Sequence, residues 1–537
     1  MRHLVTRYPQ AAIVLIAALL FIPGLGAVHL FDWDELNFAE IAREMVVTGD
    51  WLQPRIGFEI FHEKPPLFMW LQASSMTLFG VNEFAARLPN ALCGAITLLV
   101  LFKIGSLLRD RNFGLLWVLA YVGSILPHLY FRSGIIDPWF NLFIFLGLYF
   151  FIRSAGEGST KQAILCGIFL GLAVLTKGPV GLLIPLLVVA VIWSMQRFRT
   201  LVKLKLLVIA GVPFLLTGGS WAVIDLVRNG PEFMVAFFWR QVAMLTTEDA
   251  GHGGFVGYHV VVLLVGCFPA SLFAMQELLR PLRETSPRSD FRKWMVVLFA
   301  VVLVLFSLVA TKIVHYSSLA YFPLTYLAAL QLERITIRGE GFGWSRFAVG
   351  IMGSLFAVVV IALPFVAMNK ELIAPLLAAD PFALANLQAD VHWTGWEMIA
   401  GIWLLAAMVI AHVLHRRGAF PQSVITLFGG MALFVTLTLY FFINNIEGYS
   451  QRAAIEFFKE RANERCWVLT KNYRSYAHWF YARTTEAAPA EEVLFHGSID
   501  RPVYLSCKIT SVAEVEALGT FTEIGRKNGF VFWKREP

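Results

Sequence analysis

Apolar residues run through this chain in long unbroken blocks, not as alternating strand patterns or one-faced helices, and the blocks set its architecture. Stretches at 11–28, 88–108, 113–131, 136–153, 161–176, 178–195, 204–224, 256–279, 294–311, 316–332, 345–368, 395–415 and 422–443 approach or exceed the roughly 18–20 residues that carry a helix across a bilayer. They predict an α-helical polytopic membrane protein of about thirteen spans. The first block, behind Arg2 and Arg7, reads as a retained anchor with a cytoplasmic start, because no small-x-small cleavage site leads from it into a soluble domain.

Polar residues interrupt the blocks unevenly. With the first end inside, Arg109 to Arg111, Arg153 with Lys161, Arg197 to Lys205, Arg280 to Lys293, Glu333 to Arg346 and His415 to Arg417 all fall in cytoplasmic loops, and every such loop is basic. The opposite face receives the first loop at 29–87, Arg132 to Asp137, Lys177-Gly178-Pro179, a second large loop at 225–255, Lys312 to His315, the 369–394 loop and the tail. Most acidic and mixed-charge segments thus converge on one face. The expected domains are a transmembrane unit at 1–445 and a soluble unit at 446–537, where charge rises and apolar runs shorten. In that tail, helices at Tyr449 to Glu464 and Tyr473 to Arg483 and strands at Trp467 to Thr470, Val503 to Cys507, Thr520 to Gly525 and Gly529 to Lys534 predict a small α/β fold. It shows no Gly-rich phosphate loop.

Composition agrees with this class: 58% of residues are hydrophobic and only 15% charged. The net charge of +7 belongs to the basic inner loops and does not indicate nucleic-acid binding. Five cysteines match no metal spacing. Outside the membrane, Cys466 and Cys507 either form a disulfide, if their strands are neighbours, or stay two free thiols.

The chemistry concentrates in Asp32 to Pro66. Asp34 to Gly49 reads as a helix, with Asp34 as a candidate cap, Phe38, Ile41, Ala42 and Met45 at helical spacing and Gly49 as a stop. It is expected to lie along the interface, with Glu40, Arg43 and Glu44 either functional or a solvated face. Downstream, Pro65-Pro66 holds Glu63 and Lys64 in an extended or turn conformation before the next apolar run. A charged cluster beside hydrocarbon is costly unless paired, wet or used, so this stretch is a candidate active-site rim.

The pattern D-E-x-x-F-A-E-I-A-R-E-M, then G-D-W, then E-K-P-P-L resembles the bacterial aminoarabinose transferases of lipid A and the wider dolichyl-phosphate-mannose protein mannosyltransferase-like superfamily. The resemblance implies a C-type glycosyltransferase (GT-C) fold with about thirteen spans and a C-terminal periplasmic domain, in the bacterial inner membrane. It implies an inverting transfer of a sugar from a polyprenyl (undecaprenyl) phosphate carrier to a lipid or glycan acceptor, lipid A first, with another envelope glycan or a protein hydroxyl as alternatives. On the same grounds Asp34, Lys64 and Asp137 are expected to be catalytic, and Glu35, Arg43, Lys177, Lys312, His315 and Tyr316 to bind substrate. Glu63 and His252 would share a divalent metal, zinc first. The chain departs from the aminoarabinose pattern where Asn37 replaces an Arg three residues after the Asp and W-D-E replaces P-D-E. A reading from another class is a lipid or sugar transporter. Its expected internal repeats are not evident, and the ionisable residues gather at one face instead of the midplane.

Overall fold

The computed structural model describes residues 7–246, 253–281, 287–462 and 464–537. Among them, eight helices are long and apolar enough to cross a membrane, and two bent pairs raise that number to ten. The bent pairs are Arg111–Val122 with Ile125–Arg132, turned by 85°, and Tyr258–Gly266 with Ala270–Leu278, turned by 118°. Both lie where the sequence predicted one straight helix. Pro127 and Pro269 stand at or beside the breaks, where a missing N–H stops a helix from running on.

Three more of the predicted blocks form helices that are shorter or more polar. The first, Pro9–Phe21, ends before the predicted Val28, where Pro23 has no N–H to carry the helix on and Gly24 takes φ +69°. The second is Val180–Met195. The third, Tyr321–Arg338, starts after a tight turn of 3-10 helix at Val314–Ala320 and is buried along most of its length. One continuous apolar core joins these helices, with stacked rings such as Phe145 on Phe322 inside it.

At one end of the bundle, basic loops meet acids. Glu277 is 1% exposed and is ringed by Arg280, Arg292 and Arg334, while Arg109 pairs with Glu333. At the other end, helix Asp34–Thr48, a short hairpin of Arg55–Ile56 and Glu59–Ile60, and the tail pack together.

The tail carries a four-stranded sheet in the spatial order Trp467–Lys471, Val503–Lys508, Phe530–Arg535, Thr522–Lys527, parallel between the first two and antiparallel thereafter. The predicted helices shrink to Arg452–Lys459 and Ala477–Ala482, and two short unforeseen ones form at Glu491–His496 and Val512–Glu516. Cys466 and Cys507 are both free thiols. Their strands are neighbours, but Cys507 sits opposite Lys471, at the far end of the first strand from Cys466. The tail has a core of its own, around Leu494, Val503, Leu505 and Val531, and packs on the first loop through a second one. Phe38, Phe68 and Met45 from the first loop share one apolar core with Phe458, Phe480 and Tyr476 from the tail.

Candidate active site

Helix Asp34–Thr48 is the platform of the site, and it differs from the expected interfacial helix. Every residue from Glu35 to Met45 is buried. Glu40, Arg43 and Glu44 therefore have no solvated face. Arg43 forks onto Glu40 at 2.6 and 2.7 Å and donates to the Thr484 carbonyl of the tail at 2.6 Å. Glu44 accepts from the Phe58 amide at 2.9 Å, and burial beside Glu40 pushes its carboxyl up to about 8. Arg43 is thus a strut between the first loop and the tail and does not line the cavity described below. Glu35 does line it but is held in a buried fork with Arg87 at 2.7 and 2.9 Å and accepts from the Phe31 and Gly134 amides. Burial pushes the Glu35 carboxyl up, but the Arg87 charge and these bonds outweigh it and hold the carboxyl below the usual range.

Asp34 is the first residue of its helix and caps nothing. Its carboxylate lies 3.2 Å from His315 Nε2, and the same nitrogen is 3.9 Å from Asp137 Oδ2. Asp137 opens helix Asp137–Glu157, also without capping it, and accepts from Lys177 Nζ at 2.7 Å. Lys177 in turn stands 5.5 Å from the ring centres of both Phe140 and Tyr316. Four segments remote in sequence thereby bring two carboxylates, an imidazole and an ammonium into one polar chain. Glu63 faces Arg240 at 3.1 Å. Beside them, burial lowers the Lys64 amine from the usual lysine range, with Glu63 and Asp34 raising it and Lys177 and Arg240 lowering it further. A lysine made easier to deprotonate by burial is restored to its charged form by an arriving anion.

These groups surround one cavity of about 770 Å³. Its polar wall holds Asp34, Glu63, Lys64, Asp137, Lys177, Arg240, His315 and Tyr316, and its apolar wall runs along Phe140, Leu183, Ile184, Phe306, Val309 and Ile443. The arrangement suits a ligand with an anionic head and a long apolar tail. Lys312 is placed elsewhere. It does not line the cavity, and its ammonium donates to the carbonyls of Phe306, Ser307 and Val309, satisfying the end of helix Pro287–Leu308.

Among the described residues, no group of three His, Cys, Asp or Glu side chains is placed to hold an ion, and Glu63 already faces a guanidinium. The other expected ligand, His252, lies outside the described residues.

Arg240, Arg474 and Tyr476 are among the cavity residues that escaped the sequence reading. Arg240 follows no motif. Arg474 and Tyr476 come from the tail, whose sequence shows no phosphate loop, and Arg474 lies 5.0 Å from the Trp33 ring. Beside them Asp32 accepts from Ser475 Oγ at 2.5 Å and the Tyr476 amide at 3.3 Å. Burial raises its carboxyl to about 6 against these two bonds.

The comparisons with known proteins agree with this geometry. Residues 63–221 match the dolichyl-phosphate-mannose-protein mannosyltransferase family. The chain is 27% identical over 441 residues to an undecaprenyl phosphate-alpha-4-amino-4-deoxy-L-arabinose arabinosyl transferase of Pectobacterium carotovorum, covering 78% of this chain and 76% of that one. It is 28% identical over 451 residues to the protein of the same name from Erwinia tasmaniensis, covering 78% and 80%. The crystal structure of ArnT from Cupriavidus metallidurans bound to undecaprenyl phosphate superimposes with a TM-score of 0.78 at 21% identity, over 98% of this chain and 97% of that one. The two chains share a fold.

Proposed function

We propose that this chain, a polytopic glycosyltransferase of the C-type fold related to the aminoarabinose transferases of lipid A, moves a sugar from undecaprenyl phosphate to lipid A. The observation that carries the reading is the cavity, which sets paired carboxylates and several cations beside an apolar wall. Lys64 and Arg240 meet the carrier phosphate, and the prenyl tail lies along Phe140, Leu183 and Ile184. Asp34, within reach of His315, takes the proton of the attacking oxygen or orients it. The anomeric carbon then loses its bond to the phosphate as the new glycosidic bond forms. The departing phosphate gains negative charge, and cations fixed in a poorly hydrated site stabilise that charge more strongly than water does. Lys177 and His315 hold Asp137 and Asp34 in place while this happens. One displacement inverts the anomeric centre.

The basic loops at the opposite end of the bundle support an inner-membrane orientation with the cavity and tail in the periplasm. The test is mass spectrometry of lipid A and other envelope glycans from cells carrying the intact chain or Asp34→Ala at matched expression. A sugar-sized mass on lipid A that needs the intact chain is the expected result. The same mass on another glycan or on a protein would move the acceptor, and no difference in any of them would overturn the reading.

A further inference from the structure

We propose that Asn37 reads the transferred sugar, by accepting a hydrogen bond from a hydroxyl or amino group on its ring. This rests on the donor reading above and narrows it to a specificity-determining residue. Asn37 stands one helical turn after Asp34, so the two side chains share a face. It lines the same cavity and is only 7% exposed. Among the described residues, its Oδ1 has no hydrogen-bond partner. Across the cavity, Asp137 is 2% exposed and its Oδ2 also lacks a hydrogen-bond donor.

A buried acceptor without a donor is costly, and a binding site is where a ligand supplies what the protein withholds. Glu35, two residues before Asn37, has its oxygens filled by Arg87 and two backbone amides. Asn37 has no such arrangement around its oxygen. The group it takes must therefore donate, which a ring hydroxyl or amine does and a phosphate oxygen does not. The Asp34 side chain is 32% exposed, whereas Asn37 is 7% exposed and more enclosed.

Binding to the full-length protein in nanodiscs tests this without knowledge of the acceptor. The probes are bare undecaprenyl phosphate and the same carrier bearing aminoarabinose or glucose. For Asn37→Ala we expect about tenfold weaker binding of at least one sugar-bearing carrier, the range of one lost hydrogen bond in a buried site. Bare undecaprenyl phosphate should bind within about twofold of wild type, which also shows that the variant is folded. Asn37→Asp, which keeps an acceptor oxygen, should recover most of the loss. Equal weakening of the bare and sugar-bearing carriers, or no weakening of either, would overturn the role of Asn37 while leaving the donor reading in place. A wild-type protein that binds none of the carriers would sink both.

Discussion

On its inner side, helix Asp34–Thr48 offers the cavity Asp34 and Asn37, one loosely paired with an imidazole and the other with an unfilled oxygen. On the side turned to the tail it buries Glu40 and Arg43, with Arg43 filled on every fork by Glu40 and Thr484. The same helix therefore carries polar groups whose bonding is complete and polar groups whose bonding awaits a partner. The first kind holds a structure together, since removing one member strands a buried charge. The second kind is available for chemistry, since its best partner is a ligand. Charge density alone, which drew attention to this stretch, does not separate the two.

Substitutions can break or sharpen that contrast. Asp34→Ala should lower sugar transfer by about 10²–10⁴-fold, the range for a lost acid–base group, with little change in Tm; an equal loss of Tm would make Asp34 structural. Arg43→Ala should do the reverse, costing about 3–5 kcal/mol of stability as Glu40 is left buried and uncompensated, visible as a lower Tm. Its transfer rate per folded molecule should stay near wild type. Lys177→Met should reduce kcat about tenfold or more, because Asp137 loses its partner inside the cavity. Lys312→Met, removing a helix-end donor, should stay within about threefold. A comparable fall for Lys312→Met would restore it to the reaction.

The smallest effect is on pH. Glu44 titrates near 4.5 when unfolded and about 8 when folded, so the folded state binds more protons across that interval. Its stabilising contribution is complete below about pH 4.5 and is lost as pH rises to about 8. Glu44→Gln should flatten the decline of Tm over this window. An unchanged slope would place the titration elsewhere.

The apolar blocks made most of the fold legible, because a length of uninterrupted apolar chain leaves few alternatives. Breaks such as those near Pro127 and Pro269 were less visible, since a helix bends only when its neighbours can satisfy the freed backbone. Asp34, Glu63, Lys64 and Asp137 were readable from short motifs, and the structure brings all four to one cavity. Lys312 was readable too, but a lysine beside a helix end satisfies carbonyls whenever it can reach them. Arg240, Arg474 and Tyr476 gave no local signal. Their role depends on a segment some 180 to 440 residues away, and only packing brings them in. The Arg43 strut could have been suspected from Glu40 three residues before it on the same helix face, though not its partner in the tail.

The core shared by the first loop and the tail has a consequence for how the protein is made. Phe38 and Met45 precede Phe458 and Phe480 by more than 400 residues. The ribosome therefore delivers the helix bearing Asp34 long before the residues that wall in its other side. Until the tail emerges, the part of that helix which packs on Phe458 and Phe480 is bare, and Arg474 and Tyr476 are absent from the cavity rim. Synthesis of the tail thus doubles as the step that assembles the site, and a chain stopped before it lacks the Arg474 and Tyr476 wall of the cavity.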